Sequence, residues 1–323
     1  MKRESRYVQF ARRAYEEAKA SLPMYTHRNS PKTYSLPQLA VCVMLKFYLN
    51  MTYRDVEEWL LASDQVCTVL ELEQVPNYST LARAYRKLTK ARLDQMQGHL
   101  LDEAQVEEEM IAGDSTSFSL SQASSYYRTR SGKTFSDWVK GGYAVGIKTQ
   151  LIVGSSAQAG RLPDFGFLKR LKRQARRYGR KVQGRRAWFF LGDRGFDAKE
   201  ISDGDLVYPI RRYGKIVDPK RKERADLVSQ ARLDGFFGYR WLVETVNSVI
   251  KRKFGDTIRS RIWFLQRREP IIKGLVYNLH RLIVLWLLSF NRTLQQSRNK
   301  LLAMTATESW SLKIAAPANS TSV

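Results

Sequence analysis

Three acidic residues stand in surroundings that can make them chemical. Asp114 ends the apolar run from Met110 and opens Asp-Ser-Thr-Ser; Asp193 follows the apolar run Trp188–Leu191 within Gly192-Asp193-Arg194-Gly195. In α/β sheets, acids at the carboxyl ends of strands stand where loops leave the core and ligands bind. If the two strands are parallel neighbours, their ends lie ~5 Å apart, and carboxylates that close repel unless a cation sits between them. Glu244 lies in a helix-patterned stretch among apolar residues, with Arg240 one turn before it and Lys251 two turns after. Each acid alone has an ordinary explanation: an Asp at a strand end commonly caps a turn, and Glu244 can pair with Arg240 at i,i+4. His27, His99 and His280 are scattered and Cys42 and Cys67 sit in apolar helical patterns, so no spacing makes a zinc site and any metal must be held by oxygen. All-oxygen ligation suits Mg²⁺ or Mn²⁺. Two such ions ~3.5–4 Å apart can activate a water or a 3′-hydroxyl and stabilise the leaving oxygen of an in-line phosphoryl displacement.

The charge of the chain points to the same substrate class. Among 323 residues, Lys plus Arg is 55 against 31 Asp plus Glu, a balance of +24. That excess repels itself unless a polyanion shares it, and nucleic acid is the usual one. An anionic membrane is the rival, but it calls for a basic amphipathic helix or a spanning segment, and the apolar stretch Leu282–Phe290 is too short to span. Met1–Lys19 is charged throughout, so no signal peptide is expected, and two reduced cysteines fit a cytoplasmic, nucleoid-associated protein.

The elements that must position these acids follow from periodicity. Met1–Ala20 reads as a charged helix with Tyr7, Phe10, Ala11 and Ala14 on one face, and Leu36–Leu49 as an apolar helix. Thr52 and Asp55 have capping-box spacing and open a helix through Leu61; Ser79 or Thr80 caps a third carrying Arg83, Arg86, Lys87 and Lys90. Three short helices with a basic last member outline a helix-turn-helix module, or else a bundle with a solvated basic face. Beyond Glu108, strands are expected at Met110–Asp114, Tyr143–Val153, Trp188–Leu191 and Leu206–Ile210, with Ser155–Arg161 a connection. A helix from Phe165 should run on into the basic stretch 169–186; Asp197 should cap a short helix through Ile201; Arg211–Arg224 reads as an exposed loop. Tyr239–Phe254 and Pro270–Phe290 read as helices, and the tail after Ala303 as frayed. Strands alternating with helices give an α/β domain, a mixed sheet flanked by helices and preceded by an all-helical N-terminal region.

Asp-Ser-Thr-Ser at 114–117, Gly-Asp-Arg-Gly-Phe-Asp at 192–197 and Tyr-Arg-Trp-Leu-Val-Glu-Thr-Val-Asn-Ser-Val-Ile-Lys at 239–251 resemble the three acidic motifs of DDE transposases from prokaryotic insertion sequences. The third motif resembles the cut-and-paste branch, whose pattern is Tyr, two residues, Arg, three residues, Glu, six residues, Lys. Arg240, Glu244 and Lys251 match it; Phe237 stands at the Tyr position, with Tyr239 two residues on. The resemblance implies an RNase H-like catalytic domain over 106–295 with a basic insertion at about 211–235. Before it would lie a DNA-binding region over 1–105, helix-turn-helix-like at about 36–90, and after it a flexible tail over 296–323. It implies catalytic, Mg²⁺- or Mn²⁺-binding roles for Asp114, Asp193 and Glu244, with two ions. DNA contacts would come from Arg240, Lys251, Phe237, Tyr239, Arg194, Lys148, Arg83, Arg86 and Lys87. The activity implied is cleavage at element ends and strand transfer of the 3′-hydroxyls into target DNA, by a homodimer on double-stranded DNA. A nuclease without strand transfer and a non-enzymatic DNA-binding descendant are the rival expectations.

Overall fold

Side-chain caps punctuate the first hundred residues of the computed structural model, which describes residues 4–120, 130, 138–160, 162–186, 188–196, 206–207 and 216–286. Ser5 caps α1 (Arg6–Ser21), accepting from the Val8 N–H. Its buried face runs through Phe10, Ala11 and Ala14, but Tyr7 is 48% exposed, set edge-on to Tyr48 and Trp59 rather than in the core. α2 (Leu36–Tyr48) opens on a Ser35–Gln38 capping box with Pro37 in its first turn and is buried almost throughout. α3 (Tyr53–Leu61) carries the expected Thr52–Asp55 box. α4 (Asp64–Val69) was not foreseen, and α5 (Tyr78–Lys87) is capped by Asn77 rather than Ser79 or Thr80. Asn77 Oδ1 takes the Ser79 N–H at 3.0 Å, so the helix begins just after Pro76-Asn77. α6 (Lys90–Glu103) follows from a Thr89 cap.

The sheet is built on β1 (Met110–Leu120). β2 (Trp138–Gly146) pairs antiparallel along one edge, and β3 (Ile152–Ala159) pairs antiparallel with β2. The single strand expected over Tyr143–Val153 is thus two, and Ser155–Ala159, expected as a connection, is paired in β3. The break has a physical cause: the Glu108 carboxylate accepts the Lys148 and Thr149 N–H groups, and Gln150 takes a left-handed φ of 58°, closing a turn that alternation cannot reveal. The polar run after Asp114 was likewise expected to leave the sheet, yet β1 continues to Leu120 because β2 pairs with it as far as Ser119.

α7 (Phe165–Ala175) buries Phe167, Leu168 and Leu171. It stops at Ala175 rather than running on through the basic stretch. Gly179 lies so close to the Trp188 ring that a Cβ there would be 2.3 Å from Nε1, and a hairpin of β4 (Lys181–Val182) and β5 (Arg185–Arg186) turns at Gln183-Gly184, both at positive φ. β6 (Phe189–Leu191) then pairs parallel with β1, and β7 (Leu206–Val207) parallel with β6, giving the order β3-β2-β1-β6-β7. The rest of the strand expected through Ile210, the helix expected from Asp197 to Ile201 and the tail after Ala303 lie outside the described residues.

Part of the expected loop at 211–224 is helix: Asp218 caps α8 (Pro219–Leu233), which buries Arg224, Val228 and Ala231. A 3₁₀ turn (Phe236–Arg240) leads into α9 (Trp241–Phe254), and β8 (Thr257–Ile258) pairs parallel with the far end of β1. α10 (263–286) starts seven residues before the expected Pro270. Its Asn278 both donates to the Ile152 carbonyl and accepts the Ile152 N–H at 2.8 Å, docking it on β3. The described residues through Leu279 form one compact unit in which helices and sheet share a core; residues 280–286 continue as helix. Among the described residues, no helix is long and apolar enough to cross a membrane.

Candidate active site

Asp114 sits in the middle of β1, not at its end, and what ends beside it is the neighbouring strand. β6 matches Met110, Ile111 and Ala112 with Phe189, Phe190 and Leu191, and continuing that register by two residues sets Asp114 opposite Asp193. β8 rejoins the same edge only at Ser119 and Leu120. Between the two parallel partners the edge of β1 is open, among the described residues, and the acids occupy that opening.

α9 crosses it. Its inner face buries Leu242, Val243, Val246, Asn247 and Ile250, and Asn247 Nδ2 donates to Asp114 Oδ2 at 2.8 Å. Glu244, three residues earlier and exposed, takes Arg240 Nη2 at 2.6 Å. Burial pushes the Asp114 carboxyl up to about 6; Asp193 and Glu244, as like charges, add to the rise, while the Ser115 N–H and the Arg240 guanidinium oppose it. Asp193 and Glu244 therefore both lie near enough to Asp114 to add to the rise of its carboxyl.

Asp193 Oδ1 accepts the Gly195 N–H at 2.8 Å, which folds the 193–195 turn back on itself. A Cβ on Gly195 would lie 2.9 Å from Asp193 Oδ1 and 3.0 Å from Asp164 Oδ2, so a larger residue there would press on both carboxylates. Asp164 itself takes Ser115 Oγ at 2.7 Å and Lys140 Nζ at 2.8 Å. Sequence reading missed both Asn247 and Asp164. Asn247 did leave a signal, a lone amide on an otherwise apolar helix face, whereas nothing local marks Asp164.

The predicted DNA contacts divide. Arg240 and Lys251 lie on one side of α9, four residues before and seven after Glu244, with Lys251 Nζ 5.9 Å from the Phe118 ring centroid. Arg194 is exposed beside Asp193. Tyr239 and Trp241 are 48% and 56% exposed, while Phe237 is half-buried under the Arg232 guanidinium at 5.4 Å; the outward aromatic is Tyr239. Lys148 is not brought to the acids: its turn lies past the Met110 end of β1. Arg83, Arg86 and Lys87 are exposed on α5, where Arg83 and Lys87 border a groove of about 330 Å³ together with Tyr25, Tyr34 and Thr80.

The structure also gathers residues that chain spacing kept apart. Glu17, His99 and Glu103 place ligand-type atoms within 4.8 Å of one another. The expectation that any metal would be held by oxygen alone rested on chain spacing; packing of α1 against α6 brings His99 to Glu17 across 82 residues of sequence.

No protein-family model matches the chain. An uncharacterised protein of Aquifex aeolicus (strain VF5) is 24% identical over 290 residues, covering 83% of this chain and 84% of that protein. Among solved structures, a piggyBac transposase synaptic complex with hairpin DNA aligns over 85% of this chain and 72% of that one, with a TM-score of 0.39 and 9% identity.

Proposed function

We propose that this protein is an insertion-sequence DNA transposase with an RNase H-like catalytic domain, cutting element ends and joining the freed 3′-hydroxyls to target DNA. One observation supports the reading: the β1–β6 register, continued by two residues, sets Asp193 opposite Asp114, and Asp193 and Glu244, the other two acids of the motifs, both add to the raised carboxyl of Asp114. The sheet order and the placement of the acids on β1, after β6 and on a later helix agree with the fold that the motifs imply.

The chemistry of the donors suits a hard divalent cation. They are all carboxylate oxygens; burial, with the like charges of Asp193 and Glu244 adding to it, raises the Asp114 carboxyl to about 6, and Asn247 Oδ1 lies buried beside it with no partner among the described residues. Mg²⁺ or Mn²⁺, as a pair, would supply charge neutralisation at the scissile phosphate. Asn247 fixes Asp114 by its amide, and the Gly195 N–H fixes Asp193. Arg240 and Lys251 flank Glu244 and offer cationic donors to the DNA backbone, with Tyr239 and Trp241 available to stack on bases. A homodimer would hold two DNA ends.

The experiment is to incubate the protein with Mg²⁺ and a labelled duplex taken from the DNA flanking its reading frame. Cleaved ends and joined products are expected, with Asp193→Ala reducing both by at least ~10³-fold. Cleavage without joined products would make it a nuclease. DNA binding with no Asp193-dependent product would make it a binding protein only.

A further inference from the structure

Outside the proposed active site, a second set of ligands crosses two helices. We propose that Glu17 on α1 and His99 and Glu103 on α6 hold a divalent transition-metal ion of the zinc class, clamping the first helix to the bundle.

His99 and Glu103 are four residues apart, so they rise from one face of α6 toward α1. Glu17 meets them there. Its side chain is 0% exposed; Oε2 lies 3.1 Å from His99 Nδ1, and Oε1 is buried with no hydrogen-bond partner among the described residues. A buried carboxylate oxygen left unpaired is costly, and native folds rarely leave one without a ligand. A divalent cation would satisfy that oxygen, with the His99 imidazole and the Glu103 carboxylate close enough to share it.

The geometry is close to that of a bound site. Zinc bonds of ~2.0–2.2 Å put tetrahedral donors ~3.3 Å apart, so donors now within 4.8 Å need only small rotations. Arg13 grips Glu103 with Nη1–Oε1 at 3.0 Å and Nη2–Oε2 at 2.7 Å. Each carboxylate oxygen keeps a second lone pair, so Arg13 orients Glu103 from outside, as partners of metal-ligating carboxylates do. The His99 and Glu103 side chains are 42% and 48% exposed, leaving a path for the ion and room for water as a further ligand. An imidazole with two carboxylates favours zinc-class ions over Mg²⁺, so this site and the all-oxygen site would take different metals.

Zn²⁺ uptake by the EDTA-stripped full chain tests the proposal, measured by calorimetric titration and by metal analysis after dialysis. Wild type and Asp114→Asn should each hold one equivalent that His99→Gln and Glu17→Gln lose. At ~100 times the Kd, Zn²⁺ should raise the melting temperature by about 5 °C in the first two proteins and leave His99→Gln unmoved. His99→Gln is the decisive variant, since its half-exposed ring can be replaced without opening the core. Absence of Zn²⁺ uptake by wild type, or uptake unchanged by His99→Gln, overturns the site. Because Asp114→Asn keeps this equivalent, the result stands apart from whether the protein cuts DNA.

Discussion

Glu108 and Glu269 are buried more deeply than Asp114, at 0% and 1% exposed, and donors surround them, whereas Asp114, besides its donors Asn247 and Ser115, also faces the acids Asp193 and Glu244. Glu108 accepts the Lys148 and Thr149 N–H groups at 2.9 and 3.0 Å and Thr149 Oγ1 at 2.6 Å. Glu269 accepts the Arg259 and Ser260 N–H groups at 3.1 Å and Ser260 Oγ at 2.7 Å, with Lys273 Nζ 3.5 Å away. Burial raises both Glu108 and Asp114, so the direction of titration does not separate them. Their neighbours do. Around Glu108 every group besides burial lowers the pKa, whereas Asp193 and Glu244 push Asp114 further up. A buried acid ringed by donors closes a turn; one that also faces other acids carries a repulsion that a cation would relieve.

The largest stability effect should fall on the first kind. Glu269→Ala removes the partner of Lys273, whose side chain is 2% exposed and also donates to the Gly255 and Thr257 carbonyls. Breaking a buried pair leaves an uncompensated charge, so urea unfolding should show a loss of about 3–5 kcal/mol. The segment released carries β8, which holds the far end of β1. A loss below about 1 kcal/mol would mean that Glu269 is not a bracket, and the comparison would fail on that side.

Asp114→Asn should have the opposite sign. A folded pKa raised from 3.8 to about 6 means that the native state binds the proton more tightly than the unfolded chain. The contribution of Asp114 to stability is thus fully present below about pH 4 and lost as pH rises through about 6. In EDTA at pH 8, Asp114→Asn should therefore be more stable than wild type by about 2–3 kcal/mol, and the gap should close by pH 4. A variant less stable at pH 8 would place Asp114 with Glu108 and Glu269, as scaffolding.

The legible parts of this molecule were those whose cause is local. The Thr52–Asp55 box, the apolar runs of α2 and β6 and the period of α9 are written in neighbouring residues, and they fixed where the three acids fall. What was hidden depended on partners far along the chain. β1 outlasts its apolar run because β2 pairs with it, and the β2–β3 turn exists because Glu108, some forty residues earlier, closes it. Asp164 reaches Ser115 across 49 residues, and Glu17 reaches His99 across 82. No spacing rule spans such separations; packing supplies them.

Arg240→Gln should give the smallest change in stability and sharpen the comparison most. In the structure its guanidinium bonds Glu244 at 2.6 Å, an i,i+4 pair with side chains 26% and 53% exposed. Such a pair contributes at most ~0.5 kcal/mol, because water screens it and two long side chains must be held in place. Thermal unfolding should barely register the substitution. DNA binding should register it clearly: removing one phosphate-binding cation lowers the slope of log affinity against log salt by about 1. The two readouts divide the roles of a surface pair, since a purely structural Arg240 would leave the salt slope where it was. If the slope falls and stability holds, the Arg240–Glu244 bond is the resting contact of a side chain whose working partner is a phosphate. Glu244 would then lose its Arg240 partner when DNA binds, and its carboxylate would be available as a ligand to the cation of the proposed function.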